Sequence, residues 1–301
     1  MRENIRQAKH FPERIDFNPK VPLVKTDWIR EKKPDVSYGE DKLQKMDIYY
    51  PNDAGNKPYP VLLLVHGGGF VMGDKRDWHS YPGFFALDEG FALASVNYRL
   101  SPPAVFPEPI DDVKNAVLYL RRHAAELGVD GENIFLYGTS AGGNIVTFAG
   151  VEGEGSRGTA EDFHVNGVAA LCPLVNFQTH FTQLTLIARL YYKVMFALFK
   201  FNYLGKNGLK NPEKTREASA DTNIGKYKRL PPFYIQHGDR DPGVSIKQSE
   251  ELYAKLKAAG LGENDLIFDT IKGASHAGAG PHFIEAEHVT PIFEFFKRHL
   301  V

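Results

Sequence analysis

The chain of 301 residues holds a single cysteine, Cys172, so no intrachain disulfide can form. That cysteine lies in the apolar run Val168-Ala169-Ala170-Leu171-Cys172-Pro173-Leu174, where a thiol is expected to pack as a small hydrophobe rather than to act as a nucleophile. Neither sign of charge is in excess: 36 basic and 37 acidic side chains leave a net charge of −1. This argues against nucleic acid as a partner and provides no attraction to an anionic membrane surface. An apolar leader is also missing. Met1-Arg2-Glu3-Asn4-Ile5-Arg6-Gln7 is charged from its second residue, so no secretory signal is expected, and a cytoplasmic location is the expectation. Repeats and low-complexity tracts are absent, and the length allows one large domain with a substantial core.

What is present is an alternation of strands and helices. Residues 1–34, charged and proline-bearing, read as an N-terminal arm. Asp35–Tyr38 and Leu43–Tyr50 read as a strand pair turning at Gly39-Glu40. From Val61 the pattern changes. Val61–Val65 is continuously apolar, as for a strand buried on both faces, and Phe91–Tyr98 is similar. A helix is predicted over Asp111–Glu126, then a strand over Ile134–Tyr137 with a helix behind it, and a strand over Val168–Leu174. Phe233–Gln236 and Leu266–Ile271 flank a helix at Ser245–Ala259, and Val289–His299 closes the chain as a helix. Such alternation predicts an α/β fold with a mostly parallel central sheet and helices on both faces.

Phe177–Arg229 interrupts the alternation. It contains no clear strand, and Leu184–Leu204 reads as a long helix with Leu184, Ile187, Tyr191, Val194 and Leu198 on one side and Arg189, Lys193 and Lys200 on the other. The three charges argue against a membrane span. A lid over a site is preferred to a helix packed on the core or one lying in a membrane interface.

The chemistry begins at Gly138-Thr139-Ser140-Ala141-Gly142. G-x-S-x-G between a strand and a helix is a nucleophile elbow, a turn so sharp that side chains two before and two after the serine would collide. Ser140 is thereby the candidate nucleophile. A glycine-rich structural turn is the alternative reading. A serine nucleophile needs oxyanion donors, and His66-Gly67-Gly68-Gly69-Phe70 follows directly on Val61–Val65. The backbone amides of Gly68 and Gly69, with that of Ala141, are the expected donors.

An acid and a base should follow the serine in that order. His237-Gly238-Asp239-Arg240-Asp241-Pro242 offers two aspartates. Asp241 is favoured because its Asp-Pro step can turn the chain into the next helix, while Asp239 lies closer to the strand end. His276, in the loop Gly273–Gly278 after the last strand, is favoured as base over His282 and His288, which lie beyond Pro281 on or near the final helix. His66 and His237 are expected to hold their own loops.

With these sites placed, the chain resembles an α/β-hydrolase of the hormone-sensitive-lipase-like and bacterial carboxylesterase group. The resemblance rests on His66–Phe70, on the GTSAG elbow, and on Asn97-Tyr98-Arg99-Leu100-Ser101-Pro102 with Phe106-Pro107. His237-Gly238-x-x-Asp241 looks more like feruloyl-esterase-like relatives. The resemblance implies a hydrolase core at 35–176 and 230–301 and a helical cap at 177–229. It also implies hydrolysis of small to medium carboxylic esters through an acyl-serine. Asp111 and Asp112 read as scaffold residues. Phe70 and Phe177 are expected at the substrate. The expected partner is a small-molecule ester, with no metal, no organic cofactor and no stable membrane insertion. A homo-oligomer is compatible with the sequence. Amide cleavage by the same residues, as in an arylformamidase, is the second reading, and a non-catalytic binding protein on this fold the third.

Overall fold

Val61-Leu62-Leu63-Leu64-Val65 lacks alternation because both of its faces are covered. In a computed structural model that describes residues 15–16, 23–53, 57–152, 163–190, 202–205, 208, 211–226, 229–277 and 281–301, Val61, Leu63 and Val65 enter one hydrophobic cluster and Leu62 and Leu64 the other. This strand is β5 (Tyr59–Val65). Before it come β1 (Ile15–Asp16), β2 (Leu23–Val24), β3 (Lys32–Ser37) and β4 (Lys45–Tyr49). After it come β6 (Ala92–Val96), β7 (Val129–Thr139), β8 (Gly167–Leu171), β9 (Phe233–Gly238) and β10 (Leu266–Ile271). β1 and β2 pair as a separate ribbon, and the other eight form one sheet in the order β10-β9-β8-β7-β5-β6-β4-β3. The pairs from β10 to β6 are parallel, and those joining β6, β4 and β3 are antiparallel.

Four helices cover the sheet: α1 (Glu108–Arg122), α2 (Ala141–Glu152), α3 (Lys247–Ala258) and α4 (Ala286–Lys297). Ile110, Val117, Ile145, Phe148, Leu252 and Leu256 of the first three pack on one face. Val289, Ile292, Phe293 and Phe296 of α4 pack on the other, beside Phe84 and Phe85 of a 3-10 segment. Helix α1 starts three residues before its predicted start, because Pro107 and Pro109 fit a first turn that needs no amide donors there.

The predicted helix Leu184–Leu204 requires correction at its start, while residues 186–190 and 202–204 are helical. A short helix, His180–Gln183, ends at Leu184, whose ψ of 152° is extended, and residues 186–190 start a new helical segment. Leu184 is buried while Ile187 is 83% exposed, so the two do not share an apolar side. Tyr191, Lys193, Val194, Leu198 and Lys200 lie outside the described residues. Described parts of 177–229 contain no strand and are tied to α3. Gln183 Nε2 donates to Glu251 Oε1 at 2.7 Å, Gln248 Nε2 donates to Gln183 Oε1 at 2.6 Å, and Lys255 pairs with Asp221 at 2.7 Å. No helix among the described residues is long and apolar enough to cross a membrane.

Because β6 lies on one side of β5 and β7 on the other, the carboxyl ends of β5 and β7 flank a point where the strand order reverses, which is where α/β sheets bind ligands. Val65 is in register with Gly138 there.

Candidate active site

Ser140 stands between the end of β7 and the start of α2 with a φ of 55°, a left-handed backbone that a non-glycine residue holds only under constraint. The constraint is visible on both sides. A Cβ on Gly138 would lie 2.4 Å from the carbonyl oxygen of Gly142, and one on Gly142 would lie 2.2 Å from that of Val65. The Ser140 amide donates to Leu171 O at 2.9 Å, and its carbonyl accepts from Asn144 at 3.0 Å. Ala141, the first residue of α2, has an amide with no acceptor inside the helix, as every first-turn residue does.

The loop after β5 passes directly over this turn. A Cβ on Gly67 would sit 3.4 Å from Ser140 Cβ. Gly68, Gly69 and Phe70 follow with φ of 105°, 61° and 68°, a consecutive positive-φ run that the two glycines adopt at little cost and Phe70 holds only under constraint. His66 is buried, stacks on Tyr98 at 4.4 Å, and keeps Nδ1 2.8 Å from Gly67 O. Burial pushes its imidazole below the ordinary value, so it anchors the loop uncharged at neutral pH. Phe70 is fully buried and stacks on Tyr203 at 3.8 Å, with Phe177 6.0 Å away. The aromatic cluster thus includes Tyr203, which sequence reasoning missed. No local signal marks it, since its partner lies far away along the chain.

The two aspartates after β9 are now distinguishable. Asp241 Oδ2 is 2.5 Å from His276 Nδ1 and 3.3 Å from His237 Nε2, and its Oδ1 accepts from the amides of Gly243 and Val244, both at 2.8 Å. Burial alone would raise its pKa. The charge of His276, and then hydrogen bonds from His237 and His276, hold it well below the usual carboxylate range. Asp239 Oδ1 instead accepts from Gly273 N at 2.6 Å, so it braces the loop that carries His276. His237 Nε2 lies 2.9 Å from Val244 O, which can only accept, while Ser249 Oγ faces its Nδ1 at 2.7 Å. His282 and His288 stand apart, on the 3-10 turn Pro281–Ile284 and on α4.

Cys172 is buried with a φ of 45°. Its sulfur lies within 4.8 Å of donor atoms on Asp241 and His276, and burial, followed by the Asp241 charge, pushes the thiol well above its ordinary pKa. It therefore stays protonated and packs as an apolar neighbour of that pair.

Gly238, read in the sequence only as part of the His237-Gly238-x-x-Asp241 pattern, has a steric reason in the structure. A Cβ there would lie 2.4 Å from the carbonyl oxygens of both Ala274 and Ser275. The loop that carries His276 rests on this glycine, and backbone atoms cannot swing aside. Gly238→Ala is expected to displace His276, lowering kcat/KM about 100-fold, the scale of an ångström-sized misplacement of a reacting group, together with a lower Tm. Steady-state kinetics and thermal denaturation of the variant test this. Wild-type values would show that the loop adapts freely.

The site lies at the carboxyl ends of the strands. A separate cavity of about 520 Å³ opens at their amino ends, among Phe163, Asn166, Pro231 and Arg298, far from these groups in the topology.

The family model BD-FAE matches residues 46–256. Esterase LipC of Mycobacterium tuberculosis is 27% identical over 80% of this chain and 58% of that protein. A probable isoprenylcysteine alpha-carbonyl methylesterase of Arabidopsis thaliana, ICMEL1, is 25% identical over 78% of this chain and 49% of that protein. The chain spans about half the length of the curated relatives it matches. Among solved structures, a truncated carbohydrate esterase from gut microbiota superposes with a TM-score of 0.76, covering 92% of this chain and 99% of the other at 23% identity.

Proposed function

The chain belongs to the BD-FAE family, and from that premise we propose that it is a serine carboxylic ester hydrolase acting on small to medium esters. The observation that carries this reading is the 2.5 Å contact of His276 Nδ1 with a buried Asp241 on the same strand ends as the strained Ser140. In this reading His276 Nε2 takes the proton of Ser140 Oγ as the oxygen attacks the ester carbonyl. The amides of Gly68, Gly69 and Ala141 hold the oxyanion, and donors placed in advance stabilise developing charge without reorganising. His276 then returns the proton to the leaving alcohol, and water releases the acyl group by the same steps in reverse. Asp241 keeps the Nδ1 hydrogen in place and stabilises the imidazolium. The cluster of Phe70, Phe177 and Tyr203 favours an apolar acyl or aryl group, and 177–229 serves as the cap. Relatives named as esterases support the reaction class.

Two measurements test the reading. A fluorophosphonate should label the folded protein at Ser140, read by peptide mass. A panel of p-nitrophenyl esters from acetate to decanoate, with acetyl-sugar, feruloyl and formamide compounds, should give its highest kcat/KM on a short or medium ester. Absence of both labelling and ester turnover in folded protein overturns the proposal, and a preference for the formamide reassigns it.

A further inference from the structure

Among the described residues, two groups of metal-capable side chains bring three donor atoms within 4.8 Å of one another. One is Cys172, Asp241 and His276, whose geometry is already accounted for. The other is His282, Glu285 and His288, which no part of the proposed chemistry uses. From its geometry we propose that His282, Glu285 and His288 form a structural site for a borderline divalent cation of the zinc type.

The spacing His-x-x-Glu-x-x-His gathers the donors where the 3-10 turn Pro281–Ile284 runs into α4. Successive residues three apart fall on one side of such a helical path. Glu285 Oε2 is the meeting point, 3.4 Å from His282 Nδ1 and 3.8 Å from His288 Nε2. Those separations are long for hydrogen bonds. They suit a different arrangement: donors held at about 2.0–2.2 Å from a tetrahedral zinc ion stand roughly 3.3–3.6 Å from one another. A bound ion would draw the three donors, already within 4.8 Å of one another, onto such a triangle. Glu287 Oε1, 3.7 Å from the same His288 nitrogen, or a water can complete the fourth position.

The donor set selects the ion. Two imidazoles and one carboxylate suit zinc and its neighbours, whereas magnesium and calcium require a shell of mostly oxygen ligands. The backbone is held in advance. Glu285 N donates to His282 O, His288 N donates to Glu285 O at 2.9 Å, and His288 O accepts from Gln236 Nε2 at 2.9 Å. Gln236 belongs to β9 and also donates to Asp269, so the site is tied to the strand that ends at Gly238. A bound cation would clamp the turn to α4 and take no part in ester cleavage. The inference stands independently of the esterase reading.

The test is titration of EDTA-treated protein with ZnCl2, followed by calorimetry and thermal denaturation. One equivalent should bind and raise Tm, because a ligand that binds only the folded state adds RT ln(1 + [L]/Kd). His282→Ala and His288→Ala should each weaken binding about 100-fold or more, since even outer-shell losses cost 10–100-fold, with Tm in EDTA and the kcat of ester hydrolysis unchanged. Cobalt(II) should give the visible bands of four-coordinate nitrogen–oxygen ligation, and both variants should lose them. The proposal is overturned if zinc does not bind the wild type, or if binding persists in the double variant. It is also overturned if binding disappears in Cys172→Ser and zinc abolishes esterase activity, which would place the ion on the other group.

Discussion

Ser140→Ala is expected to lower kcat for an aryl ester about 10⁵–10⁶-fold while KM changes little. Removing the nucleophile of such a group of three removes the covalent route altogether, and the remainder is what oxyanion donors and binding alone supply. The experiment must separate lost chemistry from lost fold, and the backbone of Ser140 provides the means. Its φ of 55° costs an L-residue roughly 1–2 kcal/mol, which glycine would not incur. Glycine in turn gives the unfolded chain about 0.4–1 kcal/mol of extra conformational entropy. The two terms nearly offset, so Ser140→Gly should be as inactive as the alanine variant, with a Tm equal to or slightly above that of wild type. Activity retained in either variant would place the nucleophile elsewhere. A collapse of Tm in both would leave the loss of activity attributable to unfolding.

Asp241→Asn should cost about 10³–10⁴-fold in kcat, by the tautomer effect known for such carboxylates. Oδ1 receives two backbone amides, so the asparagine oxygen must occupy that position, and its NH2 then faces His276 Nδ1. A donor there makes Nδ1 an acceptor and moves the ring hydrogen to Nε2, the atom that would have to take the proton of Ser140. Asp239→Asn keeps an oxygen for Gly273 N and should stay within about tenfold of wild type, because it does not touch the ring whose tautomer matters. Equal losses in the two variants would refute the assignment of the acid. The pH dependence has a definite sign. Asp241 is depressed in the folded state, so its stabilisation is complete above the unfolded carboxylate value of about 4 and disappears as pH falls from there through the folded value. No limb of the pH–rate profile above about pH 4 is therefore assigned to Asp241. Acid denaturation curves of wild type and Asp241→Asn should converge at low pH.

Local features were legible because their physics is local. The elbow requires glycine at 138 because the Gly142 carbonyl lies against it inside the turn, while Gly142 in addition admits the carbonyl of Val65 from the neighbouring strand. The continuous apolar character of Val61–Val65 announced two covered faces. Where sequence reading failed, the decisive neighbour was distant. The helical period over Leu184–Leu204 was only a pattern. Leu184 is buried between two helical segments, and Ile187 points to solvent, because burial there is set by what the segment packs on. Gly238 stood in the His237-Gly238-x-x-Asp241 pattern without a steric reason, which the carbonyls of Ala274 and Ser275 lying against it supply.

The sequence by itself therefore determined the alternation of strands and helices from Val61 onward, the sharp turn at Ser140 and the glycine loop facing it. These follow from steric limits and from polarity patterns within a few residues. Only the tertiary structure decided which aspartate meets His276, that Tyr203 backs Phe70, and that the carbonyls of Ala274 and Ser275 rest on Gly238. Each of these depends on the distance between groups that the chain brings together only when the sheet and its loops are packed.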